Sequence, residues 1–152
     1  MQINKKLQLI FGIPDNAFIA GFNEKEAFVA ELRPALEGMK AVSKDLLKRN
    51  ITPVVICDNM MAFCMKEGLV STVHIFYSSM AKMSCVCRTG SMAAALCARA
   101  HGVPVYLHPS KKVKAGKPDL TKIGGMRVTN ADIKTYVPLT EEVPLELANL
   151  KE

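Results

Sequence analysis

The stretch Thr52-Pro53-Val54-Val55-Ile56-Cys57-Asp58-Asn59 decides the fold. Val54 to Cys57 is an uninterrupted apolar run and reads as a buried strand. Asp58 and Asn59 mark the hand-over to the next element, since either can cap a helix. An apolar helix from Met60 to Lys66 follows and stops at Gly68, and Thr72 to Tyr77 reads as the next strand. A polar turn then ends in Arg88-Thr89-Gly90-Ser91. The small-residue run from Ser91 to His101 predicts a helix that lies close on a sheet; Gly102 ends it and Val103 to His108 is a third strand. Three strands alternating with two helices are the signature of an α/β domain with a parallel sheet. The polar groups sit at strand ends, where open α/β sheets bind ligands.

Upstream, Leu7 to Ile13 reads as a strand stopped by Pro14-Asp15-Asn16, Ala17 to Phe22 fits either a helix or a strand, and Ala27 to Leu32 reads as a strand closed by Arg33-Pro34. Leu36, Met39, Val42, Leu46 and Leu47 recur at helical spacing and predict a helix over 35–50. Downstream, 110–130 is Lys/Gly/Pro-rich and reads as a loop or lid; Ile133 to Val137 is a candidate late strand, and 140–152 a short helix or surface tail.

At 152 residues, with 49% apolar and 22% charged residues, the chain is expected to form a single domain with a real core. The longest uncharged apolar run, Ser71 to Ala81, is too short to cross a bilayer, and no apolar signal core follows the basic N-terminus; a cytoplasmic location is the expectation. Five cysteines, mostly inside apolar segments, suit reduced thiols rather than a disulfide framework. The net charge of +6 is spread along the chain except at Lys111, Lys112, Lys114 and Lys117. No aromatic residue interleaves with those lysines, which argues for a solvated loop and against nucleic acid.

Four groups could carry chemistry. Asp58, at the end of a strand, could act as a base or hold a ligand hydroxyl, or it could simply cap the following helix. Arg88, Thr89, Gly90 and Ser91 precede a helix and suit either a phosphate or an ordinary hydroxyl cap. The Cys85-Val86-Cys87 pair lacks the further ligands a metal needs, and no CxxC or paired histidines supply them; no metal or cofactor is expected. His74, His101 and His108 read as structural, and neither a Walker motif nor GxGxxG occurs.

Several stretches together resemble one family, the initiation factor 2B regulatory subunits with the methylthioribose-phosphate and ribose-bisphosphate isomerases. Glu31-Leu32-Arg33-Pro34-Ala35-Leu36-Glu37-Gly38 is similar to its Glu-x-Arg-Pro-x-x-Gln-Gly, and Ile56-Cys57-Asp58-Asn59 to its strand ending in Cys/Ala-Asp-Asn/Ser. Arg88-Thr89-Gly90-Ser91 resembles Lys-Ile-Gly-Thr, and His101 to Tyr106 resembles the next helix-to-strand join. Gly125-Met126-Arg127-Val128 with Tyr136-Val137-Pro138 resembles its late segment. Order and spacing agree from about residue 27 to 147, with 1–26 divergent. The resemblance implies an α/β, Rossmann-like three-layer domain with a mainly parallel sheet and helices on both faces, dimerisation through this domain, and phosphorylated sugars or nucleotides as ligands. The implied ligand-binding positions are Arg33, Glu37, Asp58, Asn59, Ser78, Arg88, Thr89, Gly90 and Ser91.

Departures accompany it. The isomerases' cysteine and helical N-terminal domain fall upstream of Met1, Ser78 stands where their second catalytic group is an aspartate, Glu37 replaces a phosphate-binding glutamine, and Cys87-Arg88 replaces Asn-Lys. A hydroxyl cannot take over an aspartate's proton transfer without an activating base. The expectation is a catalytically degenerate binder of a small phosphorylated sugar or nucleotide-like ligand, or an assembly protein. The alternatives are an aldose–ketose isomerase using Asp58 with Cys57 or Cys87, and a non-catalytic partner subunit.

Overall fold

The computed structural model describes residues 5–112 and 118–149. Five strands run parallel: β1 (Leu7–Phe11), β2 (Glu26–Ala30), β3 (Thr52–Ile56), β4 (Val70–Met80) and β6 (Val105–Pro109), side by side in the order β3-β2-β1-β4-β6. The order reverses between β1 and β4, the switch point of a Rossmann-like sheet. Helices α1 (Asn16–Gly21), α2 (Ser43–Leu47), α3 (Met61–Lys66) and α4 (Ser91–Ala100) fill the connections. Right-handed crossovers place α1 and α2 on one face and α3 and α4, which touch each other, on the opposite face.

The N-terminal segment supplies β1, a central strand whose Leu9, Ile10 and Phe11 are fully buried. Of the Val54–Cys57 segment, expected to be a buried strand, Val54 to Ile56 lie in β3 at the sheet edge, with Ile56 buried and Cys57 exposed on the turn that follows. Val54 and Val55 are therefore only half-buried, and Pro53, which has no N–H to donate, is tolerated there. The undecided Ala17–Phe22 segment is α1, fixed by the Asp15 carboxylate accepting from the Phe18 N–H at 2.8 Å.

Several expectations are corrected. The polar turn before Arg88 contains a strand, β5 (Ser84–Arg88), antiparallel to β4, with Cys85 and Cys87 buried on its inner face. Ile133–Val137 is not a strand, and residues 140–149 are neither a helix nor a loose tail. The late strand is β9 (Thr140–Pro144), antiparallel to β5, with Val143 buried opposite Cys85 and a 3₁₀ turn at Leu145–Leu147 after it. Residues 150–152 lie outside the described residues. The expected helix over 35–50 opens as a π-turn, Gly38–Val42, before α2. Within the 110–130 loop, β7 (Lys122–Ile123) and β8 (Met126–Arg127) form a small hairpin; Lys114 and Lys117 lie outside the described residues.

No helix among the described residues is long and apolar enough to cross a membrane. A polar chain crosses the face beneath α1. The Gln8 amide donates through Nε2 to Glu24 and turns its own Oε1 to His74 Nε2 (2.6 Å), and His74 Nδ1 lies 2.9 Å from His108 Nε2. A neutral His74 must therefore carry its proton on Nε2 and accept from His108, so β1, β4 and β6 are tied by one sequence of donors.

Candidate functional site

The loop leaving β2 is held in an uncommon shape. Leu32 and Leu36 both sit in the left-handed region (φ 59° and 60°), flanking a cis Arg33–Pro34 bond. Such a conformation is disfavoured for leucine and persists only where neighbours fix it. Asp58 does the fixing: its Oδ1 accepts from the Leu32 N–H at 2.9 Å and its Oδ2 from the Arg33 N–H at 2.7 Å. Asp58 therefore does not cap the helix after β3, which has no side-chain cap. Both carboxylate oxygens are committed to the neighbouring strand's loop, which positions the residues that follow.

The first of these is Glu37. Its Oε1 accepts a hydrogen bond from Arg88 Nη2 at the end of β5, and its Oε2 is buried with no donor among the described residues. Burial pulls the Arg88 pKa below its ordinary value, but a guanidinium starts so high that it stays charged at neutral pH. Around this pair lies a cavity of about 220 Å³, lined by Pro34, Ala35, Lys40, Asp119, Lys122 and Leu139 among others. Asp119 accepts from the Thr121 N–H and hydroxyl (3.0 and 2.6 Å), which holds its carboxyl below the usual range, and it lies 3.4 Å from Lys122 Nζ.

The Arg88–Ser91 segment does not offer an open phosphate cradle. Glu141 of β9 reaches the start of α4, its Oε1 accepting from the Gly90 N–H at 2.6 Å and the Met92 N–H at 2.9 Å. A carboxylate at a helix N-terminus satisfies the same orphan donors that would hold an anion. The Thr89 hydroxyl is spent on the Pro138 carbonyl at 2.7 Å, and Ser91 is fully buried. Gly90 adopts φ 103°, and a Cβ there would come within 2.7 Å of the Phe11 ring.

Of the nine expected positions, Glu37 and Arg88 line the cavity together. Arg33 and Asp58 shape its loop through backbone contacts. Asn59 is exposed, and Ser78, also exposed, donates to the Val86 carbonyl across the β4–β5 hairpin. Sequence reading missed Lys40, inside the expected 35–50 helix, and Lys122, inside the expected 110–130 loop. It also missed Glu141, assigned to a tail. Each becomes a neighbour only through pairings distant in sequence.

The thiols differ sharply. Cys87 is buried, and burial, Cys85 at 3.4 Å and nearby Glu141 push its pKa well above the ordinary thiol value. Burial likewise raises Cys64 and Cys85, whereas Cys57 is exposed on the turn after β3. In the native protein iodoacetamide is expected to label Cys57 at least about tenfold faster than Cys87, because only a reachable thiolate reacts. Mass mapping of a time course checks this, and equal rates would contradict the packing of β5. Among the described residues no group of three or more His, Cys, Asp or Glu side chains could hold a metal ion.

The comparisons agree with this architecture. Residues 17–149 match the Initiation factor 2 subunit family. The chain is 26% identical over 137 residues to methylthioribose-1-phosphate isomerase of Trichodesmium erythraeum (80% of this chain, 39% of that protein). It is 28% identical over 151 residues to the enzyme of the same name from Nostoc punctiforme (90% and 42%). The chain thus spans about two fifths of these relatives' length. Among solved structures, subunit delta of translation initiation factor eIF-2B from A. fulgidus superposes with TM-score 0.76 at 17% identity (96% of this chain, 52% of that one). 5-Methylthioribose 1-phosphate isomerase from Pyrococcus horikoshii gives the same score and identity (95% and 49%). With the family match covering most of its length, the chain belongs to the Initiation factor 2 subunit family.

Proposed function

We propose that this chain binds a small sugar-like metabolite in the cavity between the β2 loop, the end of β5 and the β7–β8 hairpin, and does not carry out an isomerisation there. The observation that carries the reading is the meeting of Glu37, Arg88, Lys40, Asp119 and Lys122 around one cavity. A few convergent polar groups in a concave site fix the orientation of a small ligand. The volume lies below the ~300–1,000 Å³ of sites for drug-sized molecules, which favours a single sugar ring over a whole nucleotide. The relatives named as methylthioribose-1-phosphate isomerases lend the ligand class, a sugar carrying a phosphate.

The absence of isomerisation is argued from the side chains. Aldose–ketose chemistry needs a base and an acid on opposite sides of one reacting carbon. Asp58 spends both oxygens on backbone N–H groups, and Cys87 is enclosed with its proton held tightly. Neither lines the cavity. A thermal-shift screen of sugars, sugar phosphates and nucleotides tests the reading. A sugar present at 100 times its Kd is expected to stabilise the fold by about 2.7 kcal/mol. A flat response across all three classes would count against it.

A further inference from the structure

We infer that Lys40 is the residue that recognises the anionic group of the cavity's ligand, the phosphate of a single phosphorylated sugar, and so sets the preference for the phosphorylated form. The inference rests on the ligand-binding reading above and deepens it. Among the described residues the cavity lining carries three cations, Lys40, Arg88 and Lys122, against two carboxylates, Glu37 and Asp119. Two of the cations are already matched. Arg88 is paired with Glu37, both side chains being largely buried, and the Lys122 ammonium faces Asp119 at 3.4 Å. Lys40 is the one lining cation without an ion-pair partner among the described residues, so the site keeps a positive charge that nothing in the chain neutralises there.

The loop that places Glu37 also places Lys40. The lysine lies in the π-turn Gly38–Val42, a widened turn of a kind that recurs at functional sites. The turn is tied down by the Gly38 N–H, which donates to the Glu31 carbonyl at 3.2 Å, and by the buried Ser43 hydroxyl, which donates to the Gly38 carbonyl at 2.8 Å. Lys44, four residues further along and also exposed, does not line the cavity. A phosphate that reached for Arg88 would compete with Glu37, and one that reached for Lys122 would compete with Asp119. At Lys40 it displaces only water and gains a charge-assisted contact in a concave site. Lys40 is then the residue that separates a phosphorylated sugar from the free sugar.

The test compares D-ribose and ribose 5-phosphate by titration calorimetry on the intact chain, on Lys40→Gln, on Lys40→Arg and on Lys44→Gln, which removes the same charge outside the cavity. Circular dichroism and melting verify that each variant is folded, and Lys40→Ala takes the place of Lys40→Gln should that variant fail to fold. The unaltered chain is expected to favour ribose 5-phosphate by about tenfold or more, the worth of one charge-assisted contact. Lys40→Gln should lose about that factor for ribose 5-phosphate while its affinity for ribose changes by less than about twofold. Lys40→Arg should keep the preference, and Lys44→Gln should leave both affinities within about twofold of the unaltered chain. No preference for ribose 5-phosphate in the unaltered chain, a loss in Lys40→Gln no larger than in Lys44→Gln, or an equal loss for both sugars overturns the inference and leaves the ligand-binding reading standing. Failure of both sugars to bind the unaltered chain overturns the ligand-binding reading, and the inference with it.

Discussion

Replacing Gly38 by alanine is expected to cost more than about 3 kcal/mol of stability, placing it among the most damaging single changes in the chain. A Cβ built on Gly38 falls 1.8 Å from the carbonyl oxygen of Ala30 and 2.9 Å from its carbon. Both partners are backbone, so no side chain can swing away. The approach is tight because the β2 loop turns back on its own strand: the Gly38 and Met39 N–H groups donate to the Glu31 carbonyl at 3.2 and 3.4 Å. The buried Ser43 hydroxyl also donates to the Gly38 carbonyl at 2.8 Å. Opening this turn by an ångström would pull Glu37 off Arg88 as well. Urea unfolding of Gly38→Ala measures the effect, and a loss below about 1 kcal/mol would contradict the packing described.

Truncating Asp58 to alanine is expected to cost about 2–3 kcal/mol. Two part-buried N–H groups lose a charged acceptor, and Leu32 loses the contact that holds it at φ 59°. For a domain of this size the melting temperature should fall by roughly 4–12 °C at 2–4 °C per kcal/mol. Asp58→Asn keeps one acceptor oxygen and should lie between. The effect on binding follows the same path, because a loosened loop no longer presents Glu37 to Arg88; sugar affinity should fall in Asp58→Ala even though Asp58 does not line the cavity. Melting curves alone would not separate these effects, so calorimetry on the folded fraction is needed. A variant with unchanged stability would mean the loop holds its shape without Asp58.

Much of the frame was legible in the sequence because its signals are local. Val54 to Ile56, the small residues of α4 and the glycines after α3 and α4 announce strands, helices and stops within a few positions. The misses share a physical cause. In β9, Thr140-Glu141-Glu142-Val143-Pro144 carries one buried apolar residue, and its strand character comes from pairing with Ser84–Arg88, more than fifty positions earlier. Strand propensity is largely context of this kind. The placement of Val54 and Val55 at an edge could not be read either, since a hydrophobic run looks the same in any rank of a sheet.

The candidate site was half legible for the same reason. Glu37 and Arg88 were singled out individually from the sequence. What the sequence could not show is that a second carboxylate, Glu141, would fill the helix start that looked most ready for an anion. Asp58 was recognised as a polar group at a strand end, while its role as a clamp on the preceding loop depends on the adjacency of β2 and β3.

The central claim is that a sugar-like ligand binds in the cavity around Glu37 and Arg88. Two-dimensional ¹H–¹⁵N NMR of the labelled chain, titrated with D-ribose, tests it most directly. The account predicts saturable shifts confined to the backbone amides of the β2 loop, Arg88, the segment from Asp119 to Gly125, and Leu139. No saturable shifts, or shifts elsewhere with the amides around Glu37 and Arg88 unmoved, would contradict it.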